Sequence, residues 1–425
     1  MSIINLTTDI IFILLHFFLL LASYLAFGKK FFHPAVLFSL VWMGILALHF
    51  CFRFTLLDQL EALQPNVYFI FFVGNLFFLV GCMLSGLGFK KYRLSRPYQQ
   101  QVQDEINPWL RFFFTAVILL GLPFYIQAIF KIFLASRAES FFSGLRYELS
   151  YGDVDIGPSK YLMPLAYVVF AFNLYSFYMR KNAINRALLI VALLSLITYA
   201  FFATGRTYFL MILSIFAGVS FFTNTGISIK KYLLAFVVFF LLFMSIGIIY
   251  GKGGSTEDSF GDNVTSSSQN TGIYLVTSLN ALDYETSVNT AEPEMGDNTL
   301  RFFIKIGMEL KLIPQRKVNE LVQEFVFVPY ATNVYTFYSP YIRDFGRIYA
   351  WVVLALLGAL HSWFFNRAFY LKSKRAIVYF SFLLFPLLLS FFADQYFSLF
   401  SFWIQLVFFT ELIFFGDQLV SLKKW

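Results

Sequence analysis

Six arginines carry the clearest chemical signal in the sequence. Arg206 sits in ATGRTYFLMIL, between two apolar runs and with no basic neighbour. Arg343 and Arg347 flank Asp344 in YIRDFGR. Arg137 and Arg146 fall in a polar stretch, and Arg301 opens an amphipathic one. A guanidinium is a planar fork that stays charged and grips phosphate through paired N–H donors. Held at mid-membrane depth, an arginine costs roughly 2.5–3.5 kcal/mol, so one kept between apolar runs calls for an anionic partner. Several arginines at one membrane surface suit a lipid-linked diphosphate, which gains charge wherever it acts as a leaving group. Fixed cations aimed at that charge lower the barrier, most strongly where water is scarce. Arg206, Arg146 and Arg343 are the expected catalytic cations, with Arg137, Arg301 and Arg347 as substrate contacts. Asp344 is the expected base for an acceptor hydroxyl, with Asp283 and Glu285 behind it. Snorkelling to headgroups and a structural pairing of arginine with Asp344 are the competing readings.

The strip 330–345 adds polar aromatics. Asn333, Tyr335, Thr336 and Tyr338 stand beside Arg343 with donors, acceptors and ring faces. Such groups stack on sugar rings, although Tyr belts also mark membrane interfaces. Asp153 and Asp155 form a D-x-D pair. Two carboxylates so spaced can hold a divalent ion, but the pattern is short and a solvated loop is the expected reading, so no metal site is assigned. His16, His33, His49 and His361 have no metal-ligand spacing. Cys51 and Cys82 lie in different spans at different depths and are expected to pack rather than pair. The sequence has no phosphate-binding glycine loop, dinucleotide fingerprint, HExxH or serine elbow, and no cofactor is expected.

The elements that must position these groups are membrane spans. The chain has 425 residues, 59% hydrophobic and only 13% charged, with 59 Phe. Its mean hydropathy is +0.70. Soluble chains carry about 45–50% apolar and about 25% charged residues, so a water-soluble enzyme, a disordered chain and a disulfide scaffold are excluded. The net charge of +8 does not call for nucleic acid, because basic excess in membrane chains sits in cytoplasmic loops. Eleven runs long enough to cross a bilayer are read at 9–27, 35–52, 66–89, 109–135, 161–179, 187–203, 207–223, 231–250, 346–366, 376–393 and 398–416. The first lacks a basic leader and a small-residue cleavage site, and reads as a retained span. Of the short loops, one alternating set holds seventeen Lys and Arg and the other five. That asymmetry puts the N-terminus outside and the C-terminus in the cytoplasm. Arg111 and Asp9 are expected to reach an interface, and Glu411 is the intramembrane acid flagged for a proton path.

The fold expected is therefore all-α, a single polytopic bundle over 1–425. Two outer loops stand out, at 136–160 and 251–345. Residues 253–271 are low in complexity and expected to be mobile. Residues 272–289 place Ile273, Val276, Leu279 and Leu282 at helical spacing. Segments 300–312 and 316–327 do the same around Pro314, so short amphipathic helices on the outer membrane surface are expected.

Three segments resemble one family. NVYTFYSPYIRDFG at 333–346, ATGRTYFLMIL at 203–213 and TGIYLVTSLNALDYE near 272–285 are similar, in that order, to stretches of the O-antigen and capsule repeat-unit polymerases, the Wzy group. Arg146 and Gly157 match an Arg–ten residues–Gly spacing found in some members; a second copy is absent, and Ala350 stands where a second Gly often follows. The resemblance implies a GT-C-like membrane glycosyltransferase, inverting and metal-independent. It would move a growing glycan from undecaprenyl diphosphate onto a new undecaprenyl-diphosphate-linked unit, at the outer face of a bacterial inner membrane, with a chain-length regulator as a further partner. The related ligases use an outer-loop His that this chain lacks. A flippase or exporter of the same lipid-linked unit is the rival from the transport class.

Overall fold

The computed structural model describes residues 3–89, 105–136, 141–151, 156–223, 260–288, 293–320 and 323–422. Its described part is mostly helical: α1 Ile3–Ala26, α2 Pro34–Thr55, α3 Pro65–Leu87, α4 Pro108–Ser136, α5 Phe141–Tyr151, α6 Leu162–Met179, α7 Ala183–Phe202, α8 Thr207–Thr223, α9 Phe260–Val288, α10 Arg301–Glu309, α11 Tyr338–Leu371, α12 Lys374–Leu388 and α13 Phe400–Leu422. A two-residue hairpin pairs β1 Val326–Phe327 with β2 Ala331–Thr332, Val326 opposite Thr332. Eight of the helices are long and apolar enough to cross a membrane, the architecture of a polytopic helical membrane protein.

Local chemistry sets where these helices start. Pro34, Pro65 and Pro108 open theirs, where the missing N–H costs nothing. The Asn107 side chain accepts from Trp109 N and Leu110 N, and Asn182 accepts from Asn185 N at 2.7 Å, each capping free donors of a first turn.

The chain divides into two compact units. One comprises Met1–Arg96, Ser268–Tyr370 and Pro386–Phe400. Here α1, α2 and α3 pack together, and α11 lies against α3 through glycine. A Cβ at Gly81 would collide with the Ala355 carbonyl, and one at Gly358 with the Phe78 carbonyl. Such close backbone approach is how membrane helices associate without a hydrophobic drive between them. At one end of this unit, Lys30 Nζ donates to Tyr370 Oη at 2.6 Å. At the other, Gln64 N donates to Asp283 at 2.8 Å and Asn280 Nδ2 donates to Glu61 O at 3.1 Å. The latter end is the loop face. The second unit comprises Pro97–Ser267, Leu371–Phe385 and Ser401–Trp425. Its α6 packs on α4, α7 and α8, and α7 packs on α4; α12 meets α8 where a Cβ at Gly218 would strike Ser381.

Several expectations are corrected. The run 376–393 ends early: α12 has 15 residues with Pro386 inside, about 22 Å and short of a bilayer core. The run 231–250 lies outside the described residues, as do 253–259. Residues 260–271 are helical: α9 runs on from its buried half as one 29-residue helix. That half does not lie on a surface. Val276, Leu279 and Leu282 are buried as the spacing predicts, but so are Thr277, Ser278 and Asn280 on the other faces. Ser278 Oγ donates to Phe391 O at 2.7 Å and Asn280 Oδ1 meets His49 Nε2 at 2.8 Å, so polar packing wedges α9 into its unit. Segment 316–327 holds no helix among its described residues and ends in β1.

The charges inside the candidate spans have defined partners. Arg111 and Asp9 are 2% and 1% exposed, and each is held by partners within the protein. Arg111 donates to Asn173, Asn185, Glu105 and the Ile106 carbonyl. Asp9 accepts from Arg53 at 2.5 Å and Tyr68 Oη at 2.6 Å. A charge in a bilayer is retained where partners meet it, and in both cases those partners come from other parts of the same unit. Glu411 accepts from Tyr379 and pairs with Arg375 at 3.3 Å, a half-exposed pair.

Candidate functional site

The loop face of the first unit carries two adjoining cavities. The larger, about 540 Å³, is lined by Tyr284, Glu285, Glu294, Asn298, Lys317, Asn319, Glu320, Gln323, Glu324, Tyr335 and Arg343, with a few apolar groups. The smaller, about 170 Å³, shares Asn298, Glu320, Gln323 and Tyr335 with it and adds Arg301, Asn333, Asp394, Gln395 and Ser398. Together they make one polar trough.

Arg343 is its best-defined cation. Its Nε donates to Glu285 Oε1 at 2.6 Å, and Ser339 Oγ donates to Glu285 Oε2 at 2.8 Å. Glu285 is thus held at both oxygens, 6% exposed, while the Arg343 side chain is 22% exposed. The guanidinium lies 5.5 Å from the Tyr335 ring centre, a cation–π geometry that further fixes its plane. Tyr335 Oη reaches Glu324 O at 3.3 Å, and burial pushes its phenol up to about 12. It is therefore a neutral donor at ordinary pH.

Asp344, the next residue, points the other way and is fully buried. One oxygen accepts from Asn298 N and Nδ2, at 3.1 and 2.7 Å. The other accepts from Thr299 N and Oγ1, at 2.7 and 2.6 Å. Four donors occupy the carboxylate, and all four come from the turn that leads into α10. Gly346 follows at φ 80°, ψ 176° inside α11, a conformation essentially confined to glycine. The helical axis breaks there, so Tyr338–Phe345 forms a separate piece of about two turns ahead of the span. The D-F-G sequence thus joins an anchor to a hinge, with Arg343 beside it.

The other expected residues divide. Arg301 and Asn333 line the smaller cavity. Burial lowers the Arg301 basicity, and the nearby Asp394 carboxylate opposes that. Asp394 itself accepts from Tyr341, Ser398 and three backbone N–H groups; burial raises its pKa against those bonds. Arg347 is exposed outside the trough, donating to Asn66 at 2.7 Å. Tyr338 does not line the trough: it is 0% exposed and packed on Trp42 and Phe71. Arg206 belongs to the second unit, 6% exposed in the connection between α7 and α8. Arg146 is on α5 of that unit. Arg137, Asp153 and Asp155 lie outside the described residues.

Sequence reading missed Glu294, Asn298, Lys317, Asn319 and Glu320. Glu294 Oε2 accepts from Asn298 and Asn319 Nδ2, each at 2.6 Å. The polar run GDNT at 296–299 was their only sequence mark.

No family profile matches the chain, and no solved structure matches it. Among curated proteins it is 29% identical over 199 residues to an O-antigen polymerase of Shigella dysenteriae. The match covers 46% of this chain and 48% of that relative, so the chain spans about half the length of the curated protein it matches.

Proposed function

We propose that this chain is a membrane glycosyltransferase that polymerises lipid-diphosphate-linked oligosaccharide units. The observation that carries the reading is Arg343 in the trough, oriented through Nε by Glu285 and partly open at its other edge. The partial likeness to an O-antigen polymerase and the many apolar helices support the same class. The loop face is assigned to the outer side of a bacterial inner membrane, with the N-terminus outside and the C-terminus in the cytoplasm. The substrates are undecaprenyl-diphosphate-linked glycans, and a chain-length regulator is a further partner.

In the proposed reaction the acceptor hydroxyl attacks the anomeric carbon and its C–O bond forms. The bond from that carbon to the diphosphate breaks, and the diphosphate leaves with the electron pair, inverting the centre. Arg343 meets the growing negative charge through its terminal nitrogens. Arg206 and Arg146 remain proposed as catalytic cations on their sequence placement alone, and Arg137, Arg301 and Arg347 as substrate contacts. Asn333 and Tyr335 serve sugar hydroxyls. With the oxygens of Asp344 occupied, the proton is assigned to Glu320, a carboxylate common to both cavities.

The test mixes purified protein in detergent with undecaprenyl-diphosphate-linked repeat units and EDTA, and resolves the products on a gel. A ladder that Arg343→Ala abolishes is the expected result. Unchanged single units with folded protein and matched substrate would overturn the reading. Transbilayer movement of the same lipid in vesicles would then identify a flippase.

A further inference from the structure

Beside the trough, residues 301–317 form a hook. α10 presents Phe303 and Ile306 outward, and the chain reverses at Lys311, φ 58°. Leu312 N and Ile313 N then donate to Gly307 O at 2.8 and 3.3 Å. Arg316 N reaches Met308 Sδ at 3.2 Å, and the Arg316 guanidinium pairs with Asp297. The reversal is thus built by bonds to α10, yet Leu310 and Leu312 stand 63% and 75% exposed. Lys305 and Lys311 flank them, both exposed and without an ion pair among the described residues.

The position of the hook says what covers it. The Phe302 and Phe303 rings pack on Phe400, centroids 5.4 and 4.7 Å away. Phe400 is the first residue of a candidate span. The exposed leucines follow α10, whose first turn touches a residue at the end of a candidate span.

We propose that this hook binds anionic phospholipid. Phe303, Ile306, Leu310 and Leu312 enter the interfacial layer, and Lys305 and Lys311 hold anionic headgroups. Apolar side chains beside unpaired lysines match a layer that is greasy below and negatively charged above. Each lysine near such a surface strengthens binding to it about fivefold. The contact also bears on the trough, because Asn298 and Thr299, just ahead of α10, hold Asp344 beside Arg343.

The test uses the full chain with Cys51→Ser and Leu312→Cys, labelled with an environment-sensitive dye at residue 312; the remaining Cys82 is buried. It is reconstituted in vesicles of phosphatidylcholine alone and of an equal mixture with phosphatidylglycerol, nitroxide being carried on one lipid or the other. The expected result is a blue-shifted emission, quenched several-fold more by nitroxide on phosphatidylglycerol. Lys305→Gln with Lys311→Gln should remove that preference and leave the blue shift. Water-like, unquenched emission would overturn the proposal. If the dye were shielded only in native membranes, a protein partner would take the place of lipid. Equal quenching by both lipids would overturn the headgroup assignment.

Discussion

Arg343 and Glu285 meet through a single nitrogen. Nε donates to Glu285 Oε1 at 2.6 Å, and the second carboxylate oxygen is occupied by Ser339. A bidentate pair through the terminal nitrogens would have closed the fork against a ligand. This side-on pair fixes the guanidinium plane and leaves its outer edge toward the trough, while Tyr335 supports one face.

Glu285→Gln should therefore weaken activity without emptying the trough. The amide keeps one acceptor for Arg343 but loses the charge that holds it. The expected loss is about 10–100-fold in turnover, from a misdirected cation of the kind whose removal costs about 10²–10³. Arg343→Lys should do worse, because an ammonium cannot bond sideways to Glu285 and present a fork at once. Turnover on a gel-resolved ladder, compared at equal folded protein, checks both. A Glu285→Gln variant with parental turnover would remove Glu285 from the orienting role.

Asp344→Asn separates an anchor from a base. The amide has one oxygen for four donors and brings two donors of its own. Hydrogen bonds to charged groups contribute about 1.5–3 kcal/mol each, and they are not additive, so a loss of about 2–4 kcal/mol in local stability is expected. Limited proteolysis should open the 293–309 segment in this variant. Its residual activity should keep the shape of the parental pH profile. Glu320→Gln should lose most of the activity while the segment stays resistant. The reverse pattern would return the base role to Asp344.

Much of the frame could be read from hydropathy, because a span must satisfy its backbone internally and so announces itself as a long apolar run. Arg343 and Arg301 were legible for a related reason, as charges beside such runs. Their partners were not. Glu285 and Asn298 reach the site from segments separated from Arg343 by 58 and 45 positions respectively, and nothing in a local pattern ties them to it. The burial of Tyr338 was illegible because a tyrosine in a polar aromatic strip looks the same facing a sugar or a core. The opposite charges of Asp9 and Arg53 could have been paired from sequence, since each is costly in a bilayer alone.

Gly346→Ala tests the hinge. A Cβ there meets no atom within 4 Å, so any effect comes from the backbone. Holding a non-glycine residue at φ 80°, ψ 176° costs about 1–3 kcal/mol. The cheaper outcome is a straighter α11, which would swing Arg343 away from Glu285. Activity should fall further than thermal stability in detergent. An active, equally stable variant would show that the break is not needed.

Asp283 gives the chain a pH dependence of definite sign. It is 8% exposed on α9, its Oδ2 accepts from Gln64 N, and its Oδ1 has no hydrogen-bond partner among the described residues. Burial raises its pKa, the bond from Gln64 opposes that, and the neighbouring Glu61 carboxylate adds to it. In the window between its ordinary value and the raised one, the folded state holds a proton that the unfolded state has released. Stability must then fall as pH rises through that window, the reverse of a salt-bridged carboxylate. Asp283→Asn removes the titration and keeps an acceptor for Gln64. At neutral pH the variant should be at least as stable as the parent, by on the order of 1 kcal/mol for a buried oxygen no longer left charged and unpaired. In acid the two should converge. Glu61→Gln should shift the window toward lower pH without abolishing it. Thermal melts in detergent from acid to neutral pH decide this: a parallel pair of curves for Asp283→Asn and the parent would mean that Asp283 does not titrate in the window.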